Sequence, residues 1–159
     1  MIAAVAIGQP APQTKATAET AHLSITTSVR DAAAGGRSGR VALLVDVAPK
    51  PKIHVYAPGE KDAIAVSLTI APEDGVKADA PEFPAAEKFY FEPLKLTQLV
   101  YSKPFQISQP VMIAPALRDR ARAAGGTLTV KGTLRYQACD DKVCYVPKNV
   151  PVSWTVAVH

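Results

Sequence analysis

The feature that most constrains this chain is the shortness of its apolar runs and the regularity with which proline and glycine interrupt them. Fourteen prolines and nine glycines are scattered through the 159 residues rather than clustered. Between them apolar and polar residues alternate, the two-residue period of a strand that buries one face. Leu23, Ile25, Thr27 and Val29 make one such face within residues 20–30, and Ile64, Val66, Leu68 and Ile70 make another. Residues 41–47 (VALLVDV) form a denser, β-branched run that reads as a buried strand, stopped by Pro49 and Pro51. Ile53-His54-Val55-Tyr56 is a short strand closed by the turn signal Ala57-Pro58-Gly59. Residues 94–101, 105–113, 127–136 and 150–158 complete the set, the last with Val152, Trp154, Val156 and Val158 on one side. A Gly/Ala/Ser turn is expected over 32–39 and a proline-rich connection over 71–84. A single helix is predicted over 115–124, with Pro115 in its first turn and Gly125-Gly126 as its stop. The expected fold is all-β, a two-sheet sandwich of eight or nine short strands with one short helix.

Apolar residues make up 48% of the chain and charged ones 20%, which excludes a disordered chain. No apolar run approaches the ~20 residues needed to cross a bilayer. The net charge of +4 is spread along the whole length without interleaved aromatics, so a nucleic-acid surface is not indicated. Residues 1–18 read as a flexible N-terminal segment or the remnant of an export signal. MIAAVAI is apolar, but it lacks a positive n-region and is short for an h-region. Residues 19–159 read as one domain.

The chemistry lies in the two cysteines, Cys139 and Cys144, within YQACDDKVCYVP. Four residues separate them, with strands expected on both sides. Directly opposed strand residues have Cα atoms about 4.5–5.5 Å apart, within reach of a disulfide. Such a bond closes a very short loop and stabilises by roughly 2 kcal/mol, the weak end of the scale. A domain of this size with a full apolar core does not need it. Redox use, a structural bond, and free thiols or a metal site all remain open on spacing alone. A closed zinc site needs four ligands, and His22, His54 and His159 lie far from the cysteines in sequence. Asp140 and Asp141, opposed only by Lys142, disfavour a thiolate, so the pair is expected to be quiet until a partner docks.

Phe89-Tyr90-Phe91 is the other cluster of interest. Three consecutive aromatics cannot all point inward on a strand, because side chains alternate. At least one must face outward or sit on a loop. Trp154, in a regular strand pattern, reads as sandwich core.

At these residues the sequence resembles the N-terminal periplasmic domain of the transmembrane reductase DsbD, the disulfide bond corrector family. YQACDDKVCYVP carries the likeness most clearly. Ile53-His54-Val55-Tyr56-Ala57-Pro58, Glu87-Lys88-Phe89-Tyr90 and the strand beginning at Val100-Tyr101 support it, over about residues 20–158. The resemblance implies an immunoglobulin-like sandwich with a redox pair outside any thioredoxin fold. It implies a protein-disulfide reductase activity without a cofactor or metal, in which Cys144 forms the mixed disulfide and Cys139 resolves it. The cap that shields the pair in the family would be carried here by Phe89 with Tyr90, and its early acidic residue by Glu87, although Lys88 follows. His54, Tyr56, Tyr136, Gln137 and Tyr145 would line the site. The implied partners are thioredoxin-fold proteins: a reductase domain as donor, and disulfide isomerases or cytochrome c maturation thioredoxins as acceptors. The implied setting is the periplasm, with the domain either monomeric and stand-alone or part of an inner-membrane protein. The loop between the cysteines is one residue shorter than in the best-known members. A secreted immunoglobulin-like binding module with a structural disulfide is the competing reading.

Overall fold

The computed structural model describes residues 14–31 and 39–158. In chain order the elements are β1 (Ala16–Glu19), β2 (Leu23–Asp31), β3 (Arg40–Pro49), β4 (His54–Tyr56), β5 (Ser67–Ile70), β6 (Val76–Ala78) and β7 (Glu87–Phe91). A 3-10 turn (Glu92–Leu94) leads into β8 (Leu96–Tyr101), and β9 (Phe105–Ile113), α1 (Pro115–Ala123), β10 (Thr127–Tyr136), β11 (Ala138–Cys139) and β12 (Lys148–Ala157) follow. All strand pairs are antiparallel. They form a five-stranded sheet β1-β2-β3-β9-β6, a three-stranded sheet β12-β10-β5 and a four-stranded sheet β11-β4-β8-β7.

The first two sheets are the halves of the immunoglobulin-like sandwich. Leu23, Ile25, Leu43, Val45 and Ile107 from one meet Val130, Leu134, Val152, Trp154 and Val156 from the other in a single core. The alternation legible in the sequence is what produces this, since every second side chain of a strand faces the same way. Trp154 is buried at the centre, and its indole N–H donates to the carbonyl of Leu44 at 2.9 Å across the sandwich. Gly132 lies against it. A Cβ there would sit 2.8 Å from the Thr69 carbonyl oxygen and 3.1 Å from the Trp154 ring, so only glycine lets β5 and the indole approach β10 so closely.

The third sheet positions the site, because both of its faces are covered. Val55, Tyr101 and Ala138 point into the main core. Their neighbours Tyr56, Val100 and Cys139 point the other way and form a second, small apolar cluster with Phe89 and Ala63 at its edge. A period of two thus divides each strand between a structural face and a chemical one.

More strands form than the pattern predicts. β1 and β6 are four residues or fewer with mixed or polar side chains, β11 is two buried residues, and β7 was read only as an aromatic cluster. Backbone pairing to a longer neighbour makes them strands, and no periodicity could announce it. Ala16–Ala18, assigned from sequence to the flexible leader, are thereby part of β1, paired with residues 25–27 of β2. The strand expected from Ile64 begins only at Ser67, because the Val66 N–H bonds back to the Tyr56 carbonyl at 2.8 Å instead of joining β10. The expected export remnant, apart from residues 14–18, and the turn over 32–38 lie outside the described residues, as does His159.

Candidate functional site

Cys139 and Cys144 are joined by a disulfide. β11 hydrogen-bonds to β4, which sets Cys139 directly opposite His54. Asp140 N–H then bonds the Val143 carbonyl at 2.9 Å, and Tyr145 N–H the Ala138 carbonyl at 2.8 Å. These two bonds flank the cysteines as a non-hydrogen-bonded antiparallel pair, the closer of the two pair types. Their Cα atoms are 4.0 Å apart, nearer than the sequence expectation.

The two sulfurs have unequal surroundings. Cys139 is 1% exposed, packed against Tyr56 and Val100, whereas Cys144 lies on the exposed side of the loop. The Tyr56 hydroxyl stands between them, 3.2 Å from the Cys144 sulfur and 3.3 Å from that of Cys139. Disulfide sulfurs carry no proton, so the hydroxyl is the donor, with one hydrogen to offer the pair. The Gln98 amide donates to the same oxygen at 3.3 Å.

Asp140 builds the loop. One carboxylate oxygen accepts the N–H groups of Lys142 and Val143, both at 2.8 Å, and the other accepts the Tyr145 hydroxyl at 2.7 Å. The Val143 and Lys142 amides, the Tyr145 hydroxyl and the Lys142 charge together hold its pKa down at about 2. The same bond raises the pKa of Tyr145. Asp140 therefore shapes the loop through its hydrogen bonds, while its charge stays beside the pair.

His54 is buried next to the pair, its ring 4.8 Å from Phe89 and 6.1 Å from Tyr56. Burial lowers its pKa, and Asp141 and Asp140 partly oppose that shift. His54, Tyr56, Gln98, Phe91, Leu94, Val143 and both cysteines line a cleft of about 170 Å³. Its rim is mixed: Leu94, 62% exposed, and Val143, 52% exposed, stand beside the charged side chains of Asp140 and Lys142.

Of the residues singled out from sequence, the structure gathers Cys139, Cys144, His54, Tyr56 and Phe89. Phe89 packs on the cysteine cluster, and Phe91, two residues on, lines the cleft. Tyr90 points to the opposite face of β7 and is 55% exposed, as alternation demands. Glu87 accepts the backbone N–H and hydroxyl of Ser102 at 2.6 and 2.8 Å, which lowers its pKa and ties β7 to the end of β8, away from the sulfurs. Tyr136 is core, its hydroxyl donating to Thr20 Oγ1 at 2.9 Å. Gln137 braces the loop from behind, accepting from Ile64 N–H at 3.2 Å and donating to the Tyr145 carbonyl at 3.3 Å. Tyr145 stacks on His22 at 4.4 Å. Phe91 belongs to the aromatic cluster singled out from sequence, whereas Gln98 and Leu94 were missed. The register of β7 against β8 sets Gln98 opposite Phe89, and Leu94 comes from the 3-10 turn between them. Among the described residues no group of three His, Cys, Asp or Glu side chains is arranged to hold a metal ion.

The family model for the N-terminal region of the thiol:disulfide interchange protein DsbD matches residues 22–153. The N-terminal periplasmic domain of ScsB from Proteus mirabilis has the same fold, with a TM-score of 0.58 at 12% identity over 90% of this chain and 51% of that one. The chain therefore spans about half the length of that structure. The N-terminal domain of Neisseria meningitidis DsbD in its reduced form is matched at 18% identity and a TM-score of 0.49, over 80% of this chain and 92% of that one. No curated protein sequence matches.

Proposed function

Since the chain belongs to the family of DsbD N-terminal domains, we propose that it passes electrons between periplasmic thioredoxin-fold proteins, with Cys144 meeting the partner and Cys139 resolving. Electrons arrive from a thioredoxin-like reductase domain. Its thiolate attacks the Cys144 sulfur, the Cys139–Cys144 bond breaks, and the electron pair leaves on the Cys139 sulfur. The donor's second thiol then displaces Cys144, leaving the donor oxidised and this pair reduced. In the outgoing half, the Cys144 thiolate attacks the disulfide of an oxidised acceptor, such as a disulfide isomerase or a cytochrome c maturation thioredoxin. Cys139 displaces the acceptor as a dithiol and the intramolecular bond is restored.

The observation that carries this reading is the unequal exposure of two sulfurs in one bond. A partner can reach Cys144 and not Cys139. A structural staple has no need of that asymmetry, nor of a cleft beside its accessible sulfur with Leu94 and Val143 exposed at its edge. No helix among the described residues is long and apolar enough to cross a membrane.

The test is a trapping experiment with a thioredoxin-fold acceptor. The Cys139→Ser variant is expected to accumulate a mixed disulfide through Cys144, and the Cys144→Ser variant to form none and to transfer no electrons. Transfer that survives Cys144→Ser refutes the assignment. A reduction potential below about −300 mV, the range of structural disulfides, refutes redox use altogether.

A further inference from the structure

We infer that Gln98 is a positioning residue for the exchange reaction: it fixes the direction of the Tyr56 hydroxyl hydrogen and so aims it at the sulfur that leaves when the disulfide is cleaved. The inference rests on the exchange function proposed above and goes further, assigning a task to a residue no motif singled out.

A tyrosine hydroxyl has one hydrogen and turns about its C–O bond. In the cleft its oxygen has three polar neighbours, the two cysteine sulfurs and the Gln98 amide nitrogen. The amide can only donate through that nitrogen, so it occupies a lone pair of the tyrosine oxygen and excludes the rotamer that would point the hydrogen at Gln98. The remaining direction is toward the sulfurs. Gln98 itself is held by register, opposite Phe89 in the β7–β8 ladder and on the same face as Val100 of the cysteine cluster.

The value of that hydrogen changes during the reaction. A disulfide sulfur is a weak acceptor, whereas a thiolate is a strong one, and hydrogen bonds to an ionised group are roughly twice as strong as neutral ones. When an incoming thiolate attacks Cys144, the electron pair of the S–S bond departs on Cys139, which is 1% exposed and so gains little from bulk solvent. The Tyr56 hydroxyl already stands 3.3 Å from that sulfur. It therefore stabilises the departing thiolate more than the starting disulfide, which lowers the barrier. Donation by Gln98 into the tyrosine oxygen also polarises the hydroxyl and strengthens its own donation. The same balance holds in reverse, when Cys139 must become a thiolate to resolve a mixed disulfide.

The test needs no protein partner. The rate at which dithiothreitol reduces the isolated domain's disulfide is measured across pH, in the wild type and in Gln98→Leu, Gln98→Glu, Tyr56→Phe and Gln98→Leu/Tyr56→Phe. Because the probe is a small dithiol, failure of transfer to thioredoxin-fold proteins would not disturb this result. Gln98→Leu is expected to slow reduction about two- to tenfold, the range of one hydrogen bond, and to shift alkylation of the reduced pair to higher pH. Gln98→Glu keeps the shape but replaces the donor by an acceptor, and is expected to be at least as slow. In the Tyr56→Phe background, Gln98→Leu is expected to have no further effect. A wild-type rate in either Gln98 variant, or the same slowing by Gln98→Leu with and without the Tyr56 hydroxyl, overturns the inference.

Discussion

Asp140 shows how one carboxylate can shape a reactive loop without touching the reacting atoms. It closes the four-residue turn between the cysteines by accepting the amides of Lys142 and Val143 and the hydroxyl of Tyr145. Its pKa, held at about 2, lies below the ordinary 3.8. A carboxyl whose folded pKa is depressed contributes stability that is fully present above its unfolded pKa and lost as pH falls through the folded one. The loop should therefore keep its shape at neutral pH and loosen on acidification from about pH 4 to about pH 2. The amide proton resonances of Lys142 and Val143 are expected to titrate with a midpoint near 2 in a pH series followed by NMR. In Asp140→Ala that titration should vanish. Sequence could place an acidic residue in the loop, but it could not show where the oxygens point, since Asp140 and Asp141 are equivalent on paper.

The β7–β8 hairpin is the element over which the reading from sequence and the observed structure differ most usefully. Strand alternation required one of Phe89, Tyr90 and Phe91 to face outward, and it is Tyr90. Phe89 instead packs against His54 and the cysteine cluster. Phe89→Ala is expected to lower the unfolding free energy by about 2 kcal/mol, below the range for a fully buried phenylalanine because the ring is only partly covered. Tyr90→Ala should change it by less than about 0.5 kcal/mol. Urea denaturation of the two variants separates the faces, and equal losses would mean the strand is wrongly placed. The cysteines, Tyr56, His54 and Phe89 were legible because a local motif or the family likeness carried them. Gln98 was not, because its place at the site depends on which residue of β8 falls opposite which residue of β7, and Leu94 was not, because it reaches the cleft from the 3-10 turn that joins them. Tyr136 was misjudged for a related reason: adjacency to the cysteines along the chain put it in the motif, while alternation turned it into the core.

Across the whole molecule, the sandwich supplies a rigid frame and the third sheet transmits that rigidity to the disulfide. The frame depends on close approach at Gly132, where β10 meets the Thr69 carbonyl and the Trp154 ring. A Gly132→Ala substitution is expected to cost about 1–3 kcal/mol as an overpacking defect. Thermal unfolding would register this as a drop in midpoint of several degrees. A wild-type midpoint would mean that the indole and β5 yield freely. The all-β class, the single helix and most long strands could be read from periodicity. The third sheet could not, although β4 and β8 signalled themselves as strands, because β11 is only two residues long and β4 pairs with β11 and β8 across long stretches of sequence.

The unequal burial of the two sulfurs has a consequence for traffic. With only Cys144 open to the surface, a pair that exchanges has a single door, and whatever brings electrons must use the same door as whatever takes them away. Donor and acceptor cannot be bound at that sulfur together. On the exchange function proposed above, such a domain is limited to alternate visits, one protein leaving before the next arrives.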